Sequence, residues 1–252
     1  FAEAAAKMGI AFDISAEEAG SAMAVWRRTL GLSQPEALQL GDAVNHLSNK
    51  MGVQAGELTN LIQRQGGFAM STGLAADEVA ALGTAFLSSD LGPEIAATGL
   101  KNFTGALVAG EAATKQQSAV FRRLGLDAVD LSQRMQVDAK AAILDVVRAL
   151  GRLDAAERPA ALKMLFGEEV IGTVTPLVEN ADLLERAFGQ VADKAAYAGS
   201  MTKEYAGVAA TTSDRVKNAT NWTDRFAVIA GGSLLPALLR MLEGFGPLVG
   251  AL

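Results

Sequence analysis

Apolar positions recur at helical spacing along almost the whole chain. Ala19, Met23, Trp26 and Leu30, with Ala22 at the i+3 place, put one apolar face on a helix. Ala37, Leu40, Val44, Leu47 and Met51 step alternately by three and four, and Ile143, Val146, Val147 and Leu150 occupy offsets 0, 3, 4 and 7. Leu184, Ala187, Phe188, Val191 and Ala195 repeat the pattern. No stretch alternates apolar and polar residues for long, and no Asn-Gly or Asp-Gly hairpin turn occurs. The pattern predicts an all-α fold.

Polar punctuation cuts this pattern into many short helices. Ser15 with Glu18, Ser33 with Glu36, Thr114 with Gln117, and Asp154 with Glu157 each have capping-box spacing. In that motif the first side chain accepts from a free backbone N–H and the fourth reaches back. Gly31, Gly52, Gly110, Gly125 and Gly151 stand at the expected ends, where glycine enters the left-handed conformation without a Cβ clash. One unbroken helix of this length would run about 380 Å. Breaks at roughly ten- to twenty-residue intervals predict instead a multi-helix body with a radius of gyration near ~18 Å.

Two polar stretches mark boundaries: Gly110 to Ser118, and Ala198 to Asp214, which is rich in Gly, Ser and Thr. They divide the chain into a first helical group (1–109), a second (114–198), and a linker, helix and apolar segment (199–252). The paired Leu-Gly-Leu turns at Leu30 to Leu32 and Leu124 to Leu126 repeat end-cap chemistry, not a solenoid unit. The last segment differs from the rest. From Phe226 to Leu239 it carries no charge, and beyond that only Arg240 and Glu243 interrupt an apolar, Gly- and Pro-containing run. Phe226, Ile229, Leu234, Leu235, Leu238, Leu239, Leu242, Phe245 and Leu248 are the candidate membrane or self-association residues there. The charge-free run has 14 residues, short of the ~20 that span a bilayer. A buried hairpin within the same domain is the competing expectation.

Composition narrows the chemistry. The 252 residues include no Cys and one His, which removes disulfide frameworks, zinc ribbons, iron–sulfur clusters, thiol nucleophiles and multi-histidine metal sites. Net charge is −6, so the positive excess that drives phosphate-backbone binding is missing and specific nucleic-acid binding is not expected. Mean hydropathy is +0.22, raised by alanine rather than by large side chains. The chain opens on Phe1 with no signal-peptide pattern, and reads as an internal piece of a longer protein.

No active site emerges from the residues, and neither a cofactor nor an enzymatic activity is expected. The carboxylate pairs Glu17/Glu18, Asp77/Glu78 and Glu168/Glu169 are sequence neighbours, which diverge by about 100° on a helix instead of flanking a substrate. Each pair suits a helix N-terminus. His46 has Asp42 at i−4, but one carboxylate does not make a metal site or a triad. Gly66-Gly67 and Ser71-Thr72-Gly73 suggest a loop that lacks both the dinucleotide and the phosphate-loop glycine patterns. Arg27-Arg28 and Arg122-Arg123 fit helix C-termini. In Gly92 to Leu100, Pro93 suits a helix first turn, and Ala96 and Gly99 let another helix come close, which favours internal packing over a subunit contact.

Several of these stretches together resemble a known family. They are Ala11 to Gly20, Gly92 to Asn102, and Leu124 to Glu179 with its Arg134-Met135-Gln136, Ala142 to Val146, Leu165 to Glu169, Gly172 and Pro176-Leu177. Over roughly residues 1 to 225 the chain resembles the core region of tail tape measure proteins of tailed bacteriophages. The resemblance implies a helical structural protein in the lumen or at the tip of the tail tube, assembled in the host cytoplasm. Such a protein sets tube length and leaves before DNA passage. It also implies the tail tube protein, tail tip or baseplate proteins and further copies of itself as partners; the host membrane is a further candidate partner, suggested by the apolar C-terminal segment and not by the resemblance. A pore-forming or membrane-inserting helical protein is the alternative, resting on the apolar C-terminal segment, and a peptidoglycan hydrolase ranks third.

Overall fold

The computed structural model describes residues 2–89 and 91–211. Among these residues there is no strand, and thirteen α-helices lie complete within them. The first six are α1 (Ala2–Phe12), α2 (Ala16–Thr29), α3 (Gln34–Met51), α4 (Ala55–Ser71), α5 (Ala76–Leu87) and α6 (Pro93–Leu107). A 3-10 turn, Gly110–Ala112, leads to α7 (Lys115–Arg123), α8 (Ala128–Val137), α9 (Ala139–Gly151) and α10 (Arg158–Phe166). A second 3-10 turn, Glu168–Val170, precedes α11 (Ile171–Glu179), α12 (Ala181–Val191) and the single turn α13 (Lys194–Tyr197). Residues 200–211 are again helical. Phe1–Tyr205 form one compact unit and Ala206–Leu252 a second. The expected membrane or self-association residues Phe226 to Leu248 lie outside the described residues.

Local chemistry sets several helix starts. Ser15, Ser33 and Thr114 cap α2, α3 and α7 in complete capping boxes with Glu18, Glu36 and Gln117. The backbone and side-chain hydrogen bonds of Ser15 hold the Glu18 carboxyl below its ordinary pKa, and those of Ser33 do the same for Glu36. Asp127 and Asp138 cap α8 and α9. Asp154 and Glu157 do not form the expected box. Glu157 itself precedes α10, and both its N–H and that of Arg158 donate to the Asp154 carbonyl, so backbone closes this turn. Gly31, Gly52, Gly110 and Gly125 take positive φ as expected, whereas Gly151 closes α9 without leaving the right-handed region.

The core is organised around α5. Every residue from Val79 to Leu87 is buried, because α4, α3, α6, α11 and α12 all pack against this helix. A helix apolar on all sides belongs at the centre of a bundle, and the alanine-rich sequence of α5 allows its neighbours to come close. The groups 1–109 and 114–198 therefore meet in a shared core, with α12 on α3 and α5, and α10 and α11 on α6. Phe86, Phe103 and Phe166 tie these layers together, with ring centroids 5.9 Å apart in an edge-on pair and 5.1 Å apart in a tilted one.

Two glycine expectations resolve differently. Gly66-Gly67 is not a loop but lies inside α4, where the missing side chains admit Leu30 and the Thr29 carbonyl at the end of α2. Gly99 packs internally, as its surroundings predicted: a Cβ there would sit 2.4 Å from Thr173 Cγ2 on α11. Gly99→Ala is expected to cost about 1–3 kcal/mol by overpacking. Thr173→Ala, by removing that methyl, is expected to recover at least ~0.5 kcal/mol of the loss, as a double-mutant cycle of urea unfolding would show.

Candidate functional site

The residues considered for chemistry take structural places. Glu17/Glu18 and Asp77/Glu78 occupy the first turns of α2 and α5. Glu168/Glu169 belong to the 3-10 turn before α11; Glu168 pairs with Lys163, and Glu169 accepts from Asn102 Nδ2. Arg27-Arg28 and Arg122-Arg123 end α2 and α7, and Arg123 pairs with Glu157. An open cleft of about 550 Å³ is lined by Asp13, Glu57 and Asn60 among others, and Asn60 accepts from Arg64. Among the described residues no three His, Asp or Glu side chains gather as a metal site. No helix there is long and apolar enough to cross a membrane.

The polar cluster that is built up lies on α3. Asp42, Asn45, His46 and Asn49 sit at i, i+3, i+4 and i+7, hence on one face, and all four bond to residues near the end of the compact unit. Asp42 accepts from the Gly199 N–H through Oδ2 at 2.8 Å and from the Met201 N–H through Oδ1 at 3.0 Å. Asn45, 1% exposed, donates to Ser200 Oγ at 2.9 Å, and Asn49 donates to Glu204 Oε2 at 2.9 Å. His46 is half-buried, and its Nε2 donates to Gln190 Oε1 at 2.9 Å, which accounts for the ring as a structural contact. Lys194 adds a long bond to Gln39.

Apolar contacts seat the same segment. Met201 is buried and its terminal methyl lies where a Cβ on Gly41 would stand, 2.7 Å away, so Gly41 is the socket that receives it. Tyr197 is buried beside His46, and its hydroxyl donates to Asp77 Oδ2 at 2.9 Å. Asp193 ends the apolar run of α12 early and caps α13, so Tyr197 turns inward while Ala195, expected on the buried face, is exposed. Gly199 takes φ +74, the left-handed turn that leads into the next helix.

Burial, then the hydrogen bond to Asp77 and the negative charge of Asp77 and Asp42, push the Tyr197 phenol well above its ordinary pKa. The folded state therefore keeps this proton while an unfolded tyrosine loses it above pH ~10. Stability from this group is complete below that pH and falls as pH rises further. Tyr197→Phe is expected to cost about 1–2 kcal/mol at neutral pH and to show a smaller fall between pH 8 and 10.5 than the wild type in thermal unfolding.

Sequence reasoning weighed His46 and Asp42 only as a metal or triad pair and passed over the stripe of Asp42, Asn45 and Asn49. The signal was present as polar residues at i, i+3 and i+7, with Asn45 standing among the apolar positions of α3. What these observations define is an all-α scaffold whose polar site engages its own chain. The family model described as "Phage-related minor tail protein" matches residues 1–167, and the chain belongs to that family. It is 42% identical over 236 residues to the "Probable tape measure protein" of Halomonas phage phiHAP-1, an alignment covering 94% of this chain. The chain spans only 27% of that relative's length. No solved structure matches it.

Proposed function

We propose that this chain is the folded helical body of a tape measure protein, a structural component of a phage tail that sets the length to which the tail tube grows. The observation that carries this reading is the 42% identity to the relative named as a probable tape measure protein, spread over nearly the whole chain. The role is structural and not enzymatic. Its place is the tail tube lumen or tail tip, and its partners are the tube protein, the tip or baseplate proteins and other copies of itself. A net charge of −6 suits a lumen component, because it limits adhesion to the DNA that follows.

The test is tail length by electron microscopy in a phage carrying the full-length gene. Inserting helical residues in frame beside this body is expected to lengthen the tail by about 1.5 Å per residue. Tails of unchanged length at normal particle yield would overturn the ruler role. In a peptidoglycan zymogram the purified chain is expected to leave the substrate intact, and a cleared band would overturn the non-enzymatic reading.

A further inference from the structure

We propose that residues 193–205 form a releasable strap, held on α3 and α5 by the Asp42, Asn45, Asn49 and Asp77 hydrogen bonds and able to leave while the rest of the compact unit stays folded. This inference is independent of the tape-measure reading.

The strap is attached differently from the elements around it. In α5 nine consecutive residues, Val79 to Leu87, are buried. Between 193 and 205 only Tyr197 and Met201 are buried, and the remaining attachment is polar. On release these groups regain hydrogen bonds to water, whereas an uncovered apolar face gains no such compensation. A segment with few apolar contacts and mainly side-chain hydrogen bonds opens below the free energy of global unfolding.

Asp42 also couples docking to helix formation. A helix normally begins with its first free amides satisfied by a side chain just before it, as Ser33 does for α3. At the helical run from 200, the N–H groups of Gly199 and Met201 are satisfied instead by a carboxylate more than 150 residues earlier in sequence. Lifting the strap therefore removes the cap from that helix start, and the negative charge that favours its N-terminus goes with it. Gly41 shapes the seat, since a Cβ there would make the thioether end of Met201 shift. Docked, the strap begins a capped helix; released, it is an uncapped segment, and the two states exchange as a unit.

Hydrogen exchange of the 252-residue chain, read by mass spectrometry, tests this. In the wild type the amides of 195–205 are expected to be protected, yet to exchange about ten-fold or more faster than those of α4 to α6. Asp42→Ala is expected to accelerate strap exchange about ten-fold further while α4 to α6 keep their rates. Met201→Ala, which removes the buried side chain and leaves the Asp42 carboxylate in place, is expected to give the same pattern. Strap amides that exchange in step with α4 to α6 would overturn the proposal. So would variants that leave strap exchange unchanged, or that both unfold the whole unit, since the strap would then be an integral part of the core.

Discussion

Gly73→Ala is expected to be among the most damaging single substitutions in the chain, costing about 4 kcal/mol. Gly73 follows α4 at φ +106, a conformation that side-chain-bearing residues rarely adopt. A Cβ there would lie 1.9 Å from the carbonyl oxygen of Met135, in the last turn of α8. The left-handed strain contributes about 1–3 kcal/mol, and the overlap with backbone, which cannot rotate aside as a side chain does, contributes a similar amount. For a unit of this size the midpoint of thermal unfolding should fall by roughly 10 °C. Gly52→Ala is the control. Gly52 has φ +73 but nothing within 4 Å of the added carbon, so its cost is the conformational part alone, about 1 kcal/mol. Equal losses in the two variants would show that the contact with α8 contributes nothing.

Trp26→Ala is the second large effect. Trp26 is fully buried on α2, among the largest buried side chains, and α2 packs on α1, α3 and α4. Removing it takes away an indole's apolar area and leaves a cavity that three helices cannot all collapse to fill, a loss of about 3–5 kcal/mol. The indole Nε1 has no protein hydrogen-bond partner among the described residues, so Trp26→Phe gives up packing without breaking a protein hydrogen bond. It is expected to cost less than half as much. Urea unfolding of both variants checks the ratio. A Phe variant as unstable as the Ala variant would mean that the indole N–H, not ring volume, carries the stability.

The sequence by itself determined those features whose physics closes within a few residues. Ser15, Ser33 and Thr114 begin helices because each finds its partner at i+3, and the spacing of Ala19, Met23 and Trp26 marks the buried face of α2 wherever that face is placed. The small residues Ala96 and Gly99 announced a close helix approach, though not that Thr173 would fill it. Motifs spread over most of the chain also carried the family, because membership depends on residue identity rather than on contacts. Tertiary structure decided whatever depends on which faces meet. Gly66 and Gly67 read as a loop on local propensity, yet they lie within α4 at the place where the end of α2 comes close. Asp154 had capping-box spacing, but the turn that formed closes through its carbonyl instead. Asp42 looked like an idle neighbour of His46 until the fold brought Gly199 and Met201 to it, a partnership invisible to any rule confined to neighbouring residues. The physical reason is the same in each case: a cap or a turn is closed by atoms a few bonds apart, whereas a socket such as Gly41 for Met201 exists only once distant helices have packed.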